Sequence, residues 1–256
     1  MLHCEVTGGV GTVTIDRPGK RNAMSADMWR ELPRILDGLA ADASVRVVVL
    51  TGAGGNFCAG ADIGELGDIH RDDDTHLSTV AERALAAFGK PTIAAIEGVC
   101  VGGGCQLAAA CDLRFAAADA RFGITPARLG IVYPVVATAR LVGLVGPASA
   151  KYLLYSAELI GAADALRIGF LNEVVADLPA RVADFTGTLA SRSLLTQCAT
   201  KDIVDAIVAG GDVGGRAAHW LAEMDASGEL REGAAAFLER RAPEFAWTPG
   251  AREDVR

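Results

Sequence analysis

The stretch from Ala94 to Phe115, AAIEGVCVGGGCQLAAACDLRF, constrains the chain more than any other. The apolar run Ile93 to Ile96 reads as a buried strand. Gly98, then Gly102, Gly103 and Gly104, break it, and CQLAAAC from Cys105 onward has the Ala content of a helix. A strand that enters a helix through such a turn leaves the first backbone N–H groups unpaired and pointing one way, at the electropositive end of the helix. Glycine lets a ligand approach that backbone closely. The turn can hold a negatively charged oxygen, or it can be a tight connection that serves packing alone.

A second loop of similar construction shifts the balance. Residues 45–63, VRVVVLTGAGGNFCAGADI, give a β-branched strand, a turn and the compact AGAD segment Ala59 to Asp62. One backbone donor from each loop, aimed at one point, would make an oxyanion hole.

Composition narrows the classes. An apolar fraction of 51% and a mean hydropathy of +0.29 suggest a large core, or faces buried against other subunits. No uninterrupted apolar run reaches the roughly 18 residues of a membrane helix; the richest, Ile124 to Val145, is broken by Arg128, Pro134 and Arg140. Met1 leads into a strand-like segment with no secretory signal pattern, and the expected location is cytoplasmic. The six cysteines (Cys4, Cys58, Cys100, Cys105, Cys111 and Cys198) form no CxxC pair and read as reduced, buried small residues, with no metal site expected. A net charge of −8 argues against nucleic acid as a partner.

Read in order, Glu5–Val6–Thr7 pairs through Gly8–Gly9 with the alternating strand Val10 to Asp16. The RPGKRNAM loop that follows carries Arg17, Lys20 and Arg21, either as a solvated basic loop or as a local phosphate contact. A helix begins near Ser25, with Met28, Leu32, Ile35, Leu36 and Leu39 on one face and a kink expected at Pro33. Ile63 to Leu77 is ambiguous; it holds the acidic run Asp72–Asp74, flanked by His70 and His76, and reads as a solvated loop. Thr79 to Phe88 is helical, Leu113–Ala116 a short strand, and Phe122 to Pro134 a loop suited to lining a site. Helices are expected at Ser149–Ser156 and Ala162–Ile168, and a closing strand at Phe170–Val175. Beyond Ala176 the text is helical, with Gly210–Gly211 and Gly214–Gly215 separating two helices and a last helix at Leu230–Arg241. The expected organisation is a core over residues 1–190 and a helical oligomerisation segment over 191–256.

Gly52–Ala53–Gly54–Gly55 invites a dinucleotide-binding reading, but Phe57 stands where the fingerprint needs its third glycine. There is no GxxxxGK[ST], HExxH or GxSxG. Four ordered segments instead resemble the crotonase, or enoyl-CoA hydratase/isomerase, superfamily: Arg17 to Met24, Ala59 to Ile63, Lys90 to Ala116 and Phe122 to Arg140. The tail FLERRAPEF at Phe237–Phe245 is similar too, so the resemblance covers nearly the whole chain.

This resemblance implies an α/β fold, a spiral of ββα units with a C-terminal helical trimerisation region, assembled as a homotrimer or a dimer of trimers. It implies an acyl-CoA thioester as ligand, with coenzyme A part of the substrate and no separate cofactor. The family's oxyanion donors map onto the backbone N–H groups of Ala61 and Gly103, and its CoA-binding segments onto Arg21 to Ala23 and Ala59, Ala61, Asp62 and Ile63. Such donors are worth roughly 3–4 kcal/mol each.

The chain departs from the hydratases at both glutamates. Gln106 stands where the first belongs and Pro126 where the second does, and neither accepts a proton near neutral pH. Because general acid–base groups contribute about 10²- to 10⁴-fold each, efficient hydration is doubtful. TPARLGIVY resembles the TPxxLGxxY stretch of malonyl-type CoA decarboxylases, with Thr125 and Tyr133 matching, although those enzymes carry a histidine where Ala61 stands. Gln106, Thr125 and Tyr133 are therefore expected at the reacting end. A decarboxylase and a non-catalytic acyl-CoA-binding protein remain as alternatives.

Overall fold

The computed structural model describes residues 1–69 and 76–250; His70 and the Asp72–Asp74 run lie outside them. β1 (Leu2–Thr7) and β2 (Val10–Ile15) form an antiparallel hairpin. Gly8 and Gly9 turn it with φ of +58° and +83°, the left-handed pair that a two-residue hairpin turn demands. α1 (Ala26–Ala41) begins at Ser25, whose Oγ accepts the Met28 N–H, while the Glu65 carboxylate accepts the Ala26 N–H at 2.7 Å. The helix runs through Pro33 without a break, because its buried stripe of Met28, Trp29, Leu32, Leu36 and Leu39 holds both halves against the sheet.

From there a regular alternation sets in. β3 (Val47–Gly52) is followed by α2 (Leu66–Ile69), α3 (Leu77–Ala86) and β4 (Thr92–Ile96); β5 (Val99–Val101) leads into α4 (Gly103–Ala110). β6 (Leu113–Ala117) and β7 (Arg121–Gly123) lead into α5 (Val135–Ser156). β8 (Ile160–Gly161), α6 (Ala162–Arg167) and β9 (Glu173–Val175) close the sheets, and α7 (Leu178–Ala190), α8 (Leu194–Ala209), α9 (Val213–Ser227) and α10 (Glu229–Glu239) complete the chain.

The large sheet has the order β1-β2-β3-β4-β6-β9, parallel after the first pair, and the small sheet the order β5-β7-β8. Two turns of the chain, β4-β5-α4 and β6-β7-α5, spend one strand in the large sheet, one in the small sheet, and then a helix. Single bridges Met24–Ala61 and Cys58–Cys100 extend the small-sheet side to the earlier loops. The central strands of the large sheet, β3, β4 and β6, are buried on both faces, as strands of parallel sheets are. Val48, Leu50, Ala94, Ile96 and Ala116 face the main core with α1 and α4, whereas Val47, Val49, Ile93, Ala95 and Phe115 pack on Leu178 and Phe185 of α7.

Several local expectations change. α4 starts at Gly103, so two of the three glycines form its first turn rather than a loop before it. α5 reaches from Val135 to Ser156, with Gly146 at φ +73° marking a joint before Pro147. Gly214 and Gly215 lie inside the first turn of α9, where the Asp212 carboxylate accepts the Gly215 N–H. Cys4 is exposed, since β1 is an edge strand with only Leu2 buried; the other five cysteines are buried, and there is no disulfide. No helix among the described residues is long and apolar enough to cross a membrane.

Candidate active site

Three loops meet on the small-sheet side. In the first, Arg21 and Asn22 take φ of 48° and 61°. Asn22 is fully buried: its Oδ1 accepts the Arg17 N–H at 2.9 Å, and its Nδ2 donates to the Ala53 and Asn56 carbonyls at 2.8 and 2.6 Å. One side chain therefore ties the RPGKRNAM loop to the turn after β3.

The second loop runs beside the first. Ala59 N donates to Arg21 O at 3.0 Å, Met24 N to Gly60 O at 2.7 Å, and Asp62 N to Met24 O at 2.9 Å. Arg21 to Ala23 and Ala59 to Ile63 therefore lie side by side, paired through their backbones, with Arg21 and Ile63 exposed and Ala23 and Asp62 buried. Asp62 accepts the Gly64 N–H at 3.0 Å and pairs with Arg17 Nη1 at 2.7 Å. Those two contacts, the backbone one foremost, hold its carboxyl below the usual aspartate range.

The third loop is locked to the second by Cys58 N donating to Val99 O and Val101 N donating to Cys58 O, both at 2.9 Å. Gly102, at φ +54°, donates to Gly123 O at 2.8 Å and turns the chain into α4. A methyl group placed on Gly103 would stand 3.4 Å from Ala61 N and 2.9 Å from Trp29 Cζ2; one on Gly60 would stand 3.2 Å from Gly103 N. The main-chain nitrogens of Ala61 and Gly103 thus border one small volume that only glycine leaves open. Neither N–H has an acceptor among the described residues. Gly103 N additionally sits at the electropositive start of α4.

The side chains expected at the reacting end are only partly brought together. Tyr133 Oη donates to Gly102 O at 3.2 Å, and burial pushes its phenol well above its ordinary value. Gln106 is buried one turn along α4 from Gly103, but its Nε2 donates to Glu82 Oε2 at 2.8 Å. Thr125 is half-buried and precedes the single helical turn Pro126–Arg128, with no hydrogen bond from its hydroxyl to the other four candidates.

Glu82 of α3 and Trp29 of α1 escaped the sequence reading. Glu82 is wholly buried between Gln106 and Arg140, whose Nε donates to Glu82 Oε1 at 2.9 Å. Its signal was a lone carboxylate inside the buried stripe of α3, between Ala81 and Leu85. Trp29 shows none beyond its place on an apolar face; its Nε1–H is buried without a partner among the described residues. His76 is buried at the start of α3, its Nδ1 3.0 Å from Ser78 Oγ. Among the described residues no group of His, Cys, Asp and Glu is arranged to hold a metal ion.

Comparison with known proteins gives the family. Residues 5–248 match the family model for enoyl-CoA hydratase/isomerase. A short-chain-enoyl-CoA hydratase of Clostridium acetobutylicum is 41% identical over 175 residues, 67% of each chain. A crotonyl-CoA hydratase of Syntrophomonas wolfei is 35% identical over 246 residues, covering 90% of this chain and 92% of that one. A solved structure of an enoyl-CoA hydratase/isomerase family member superposes with a TM-score of 0.92 at 37% identity, covering 97% of both chains. The fold is of the crotonase type. The chain belongs to the enoyl-CoA hydratase/isomerase family.

Proposed function

We propose that the protein is an enzyme acting on an acyl-CoA thioester, polarising the thioester carbonyl with the N–H groups of Ala61 and Gly103. What supports this reading is that the Ala61 and Gly103 nitrogens, neither with an acceptor among the described residues, border one glycine-lined volume. Negative charge that develops on a thioester oxygen during enolate formation would meet two fixed dipoles and the start of α4, with no reorganisation needed. The CoA moiety would run along Arg21 to Ala23 and Ala59 to Ile63, whose backbones are already paired edge to edge. Tyr133 and Gln106 would stand near the acyl end, and Thr125 at its rim.

The relatives are hydratases by name, and hydration is the reaction this chain is least equipped for. Gln106 can hold a water through its carbonyl oxygen but cannot take its proton, and Pro126 offers neither donor nor acceptor in its side chain. Steps that need only a stabilised enolate are favoured. Decarboxylation of a malonyl-type CoA is the second reading, supported by a Tyr133 phenol that stays protonated and so can give up a proton to the enolate carbon. Binding without turnover is the third. Apolar side chains left exposed on the last helices (Val208 at 79%, Phe237 at 83% and Leu238 at 81%) favour a homotrimer or a dimer of trimers. A cytoplasmic location belongs to the same proposal.

The deciding experiment is infrared difference spectroscopy of a bound, isotopically labelled butyryl-CoA. A carbonyl stretch moved to lower frequency, and moved back in Gly103→Ala, is the expected result. An unshifted carbonyl, or no binding of any CoA thioester, overturns the proposal. Parallel assays of crotonyl-CoA hydration and of CO₂ release from methylmalonyl-CoA then separate the reactions.

A further inference from the structure

Resting on that reading of the site, we propose that Glu82 is a positioning residue: it captures the carboxamide N–H of Gln106 and thereby leaves Gln106 Oε1 as a fixed acceptor for the β-substituent of the acyl group. The two oxygens of Glu82 are each committed. Oε1 accepts Arg140 Nε at 2.9 Å, and Oε2 accepts Gln106 Nε2 at 2.8 Å. The Glu82 side chain is fully buried, whereas that of Arg140 is 31% exposed, so the arginine reaches water and the carboxylate does not. An ionised carboxylate is acceptor-only, and a carboxamide has one donor end and one acceptor end. Facing Glu82, Gln106 has a single choice of orientation, with nitrogen inward and oxygen away.

This orientation has a chemical consequence. The site offers an oxygen acceptor where a family hydratase would offer a carboxylate, but one that carries no charge and takes no proton. Such an acceptor suits a hydroxyl at the β-carbon, or a water held there. It does not suit the free carboxylate of a malonyl-type acyl group, which would bring a second acceptor up to the first. The carboxylate of this site has in effect moved from α4 to α3, one side chain behind the reacting end. Exchanging position 106 alone is therefore not a simple restoration. Gln106→Glu would set two buried carboxyl groups at hydrogen-bonding distance, and both cannot ionise there. Among the described residues, the titratable and charged groups around that pair include the Arg140 guanidinium, the Tyr133 phenol and the Cys100 and Cys105 thiols, of which Arg140 carries positive charge.

The test uses four proteins: wild type, Glu82→Gln, Gln106→Glu, and the transposed double variant. The first arm compares affinities for 3-hydroxybutyryl-CoA and butyryl-CoA by calorimetry. Wild type is expected to prefer the hydroxylated ligand on the order of tenfold, the size of one good hydrogen bond. In Glu82→Gln that preference should collapse, with butyryl-CoA affinity unchanged within about twofold, because the amide can then turn either way. A purely structural Glu82 would lower Tm and leave the ratio intact, which overturns the proposal; so does a wild type without the preference.

The second arm needs no ligand. In Gln106→Glu the shared carboxyl titrates above its unfolded value of about 4.3. Its stabilising effect is complete below that value and is lost as pH rises through the raised one, so Tm relative to wild type should fall from pH 5 to pH 8. Adding Glu82→Gln should abolish the fall. A Gln106→Glu protein that tracks wild type across this range shows that Glu82 does not hold residue 106, and the proposal fails. If no CoA thioester binds at all, the functional reading fails, while this arm still decides whether Glu82 fixes Gln106.

Discussion

The α-carbon of Gly104 faces the carbonyl oxygen of Cys58 so closely that a methyl group on it would lie 2.2 Å from that oxygen. The first turn of α4 is thereby pressed against the AGAD loop, and the distance between the Gly103 and Ala61 nitrogens follows from this contact. Gly104→Ala must push the two backbones apart, with no flexible side chain to absorb the strain. The expected cost is about 3 kcal/mol or more, by comparison with overpacked cores, together with loss of acyl-CoA binding. Thermal unfolding and calorimetric titration of the variant measure both effects.

Asn22 offers a different kind of fragility. Asn22→Ala would strip partners from the Arg17 N–H and the Ala53 and Asn56 carbonyls while leaving them enclosed. At about 1–3 kcal/mol for each buried group left unsatisfied, a loss of at least 3 kcal/mol is expected. That corresponds to a fall in Tm of roughly 5–10 °C for a chain of this size. Asn22→Gly should not recover the loss, because the missing amide and not the left-handed backbone sets the cost. Differential scanning calorimetry of both variants checks the order.

How much of this was legible before folding varies by residue. The two glycine loops, the hairpin at Gly8–Gly9 and the Ser25 cap could be read because each is a local rule about backbone conformation or spacing. Within those two loops, Ala61 and Gly103 could be nominated by family resemblance alone. The partner of Gln106 could not. Glu82 lies 24 residues away on another helix, and although its place on the buried stripe of α3 is local, nothing local says which side chain it meets. The same holds for Asp112, which accepts Thr92 N, Thr92 Oγ1 and Lys201 Nζ at 2.8 to 3.0 Å and gives Thr92 and Asp112 of the Lys90 to Ala116 segment a structural role. Cys4 was misjudged because strand membership says nothing about which strand ends a sheet.

Tyr133 separates two reactions. Burial holds its phenol well above the ordinary tyrosine value, so the group stays protonated across the working range and gives no inflection below pH 10. As a wall residue donating to Gly102 O, its loss in Tyr133→Phe should cost about 1 kcal/mol, less than tenfold in kcat. As the proton donor in decarboxylation it would cost about 10²-fold or more. We expect the smaller effect, measured as kcat with the preferred thioester from pH 6 to pH 9.

Acid should loosen the edge proposed to hold CoA. The Asp62 carboxyl is held low by the Gly64 N–H and by Arg17, so its folded-state value lies below that of the unfolded chain. The stabilisation is complete above the unfolded value, near 3.9, and is lost as pH falls through the folded one. Wild type should therefore lose stability below about pH 4 more steeply than Asp62→Asn. Tm measured from pH 5 to pH 2.5 for the two proteins reads the difference, and equal slopes contradict it.

The uneven burial of the thiols has a practical use. Cys58 and Cys111 are pushed up to about 12 by their apolar surroundings, Cys100 and Tyr133 rise for the same reason, and Cys105 and Cys198 are enclosed. Alkylating reagents attack thiolates they can reach, which in the folded protein leaves the edge-strand Cys4. A fluorophore or spin label can thus be attached at one defined spot, on the outermost strand, without engineering any cysteine away.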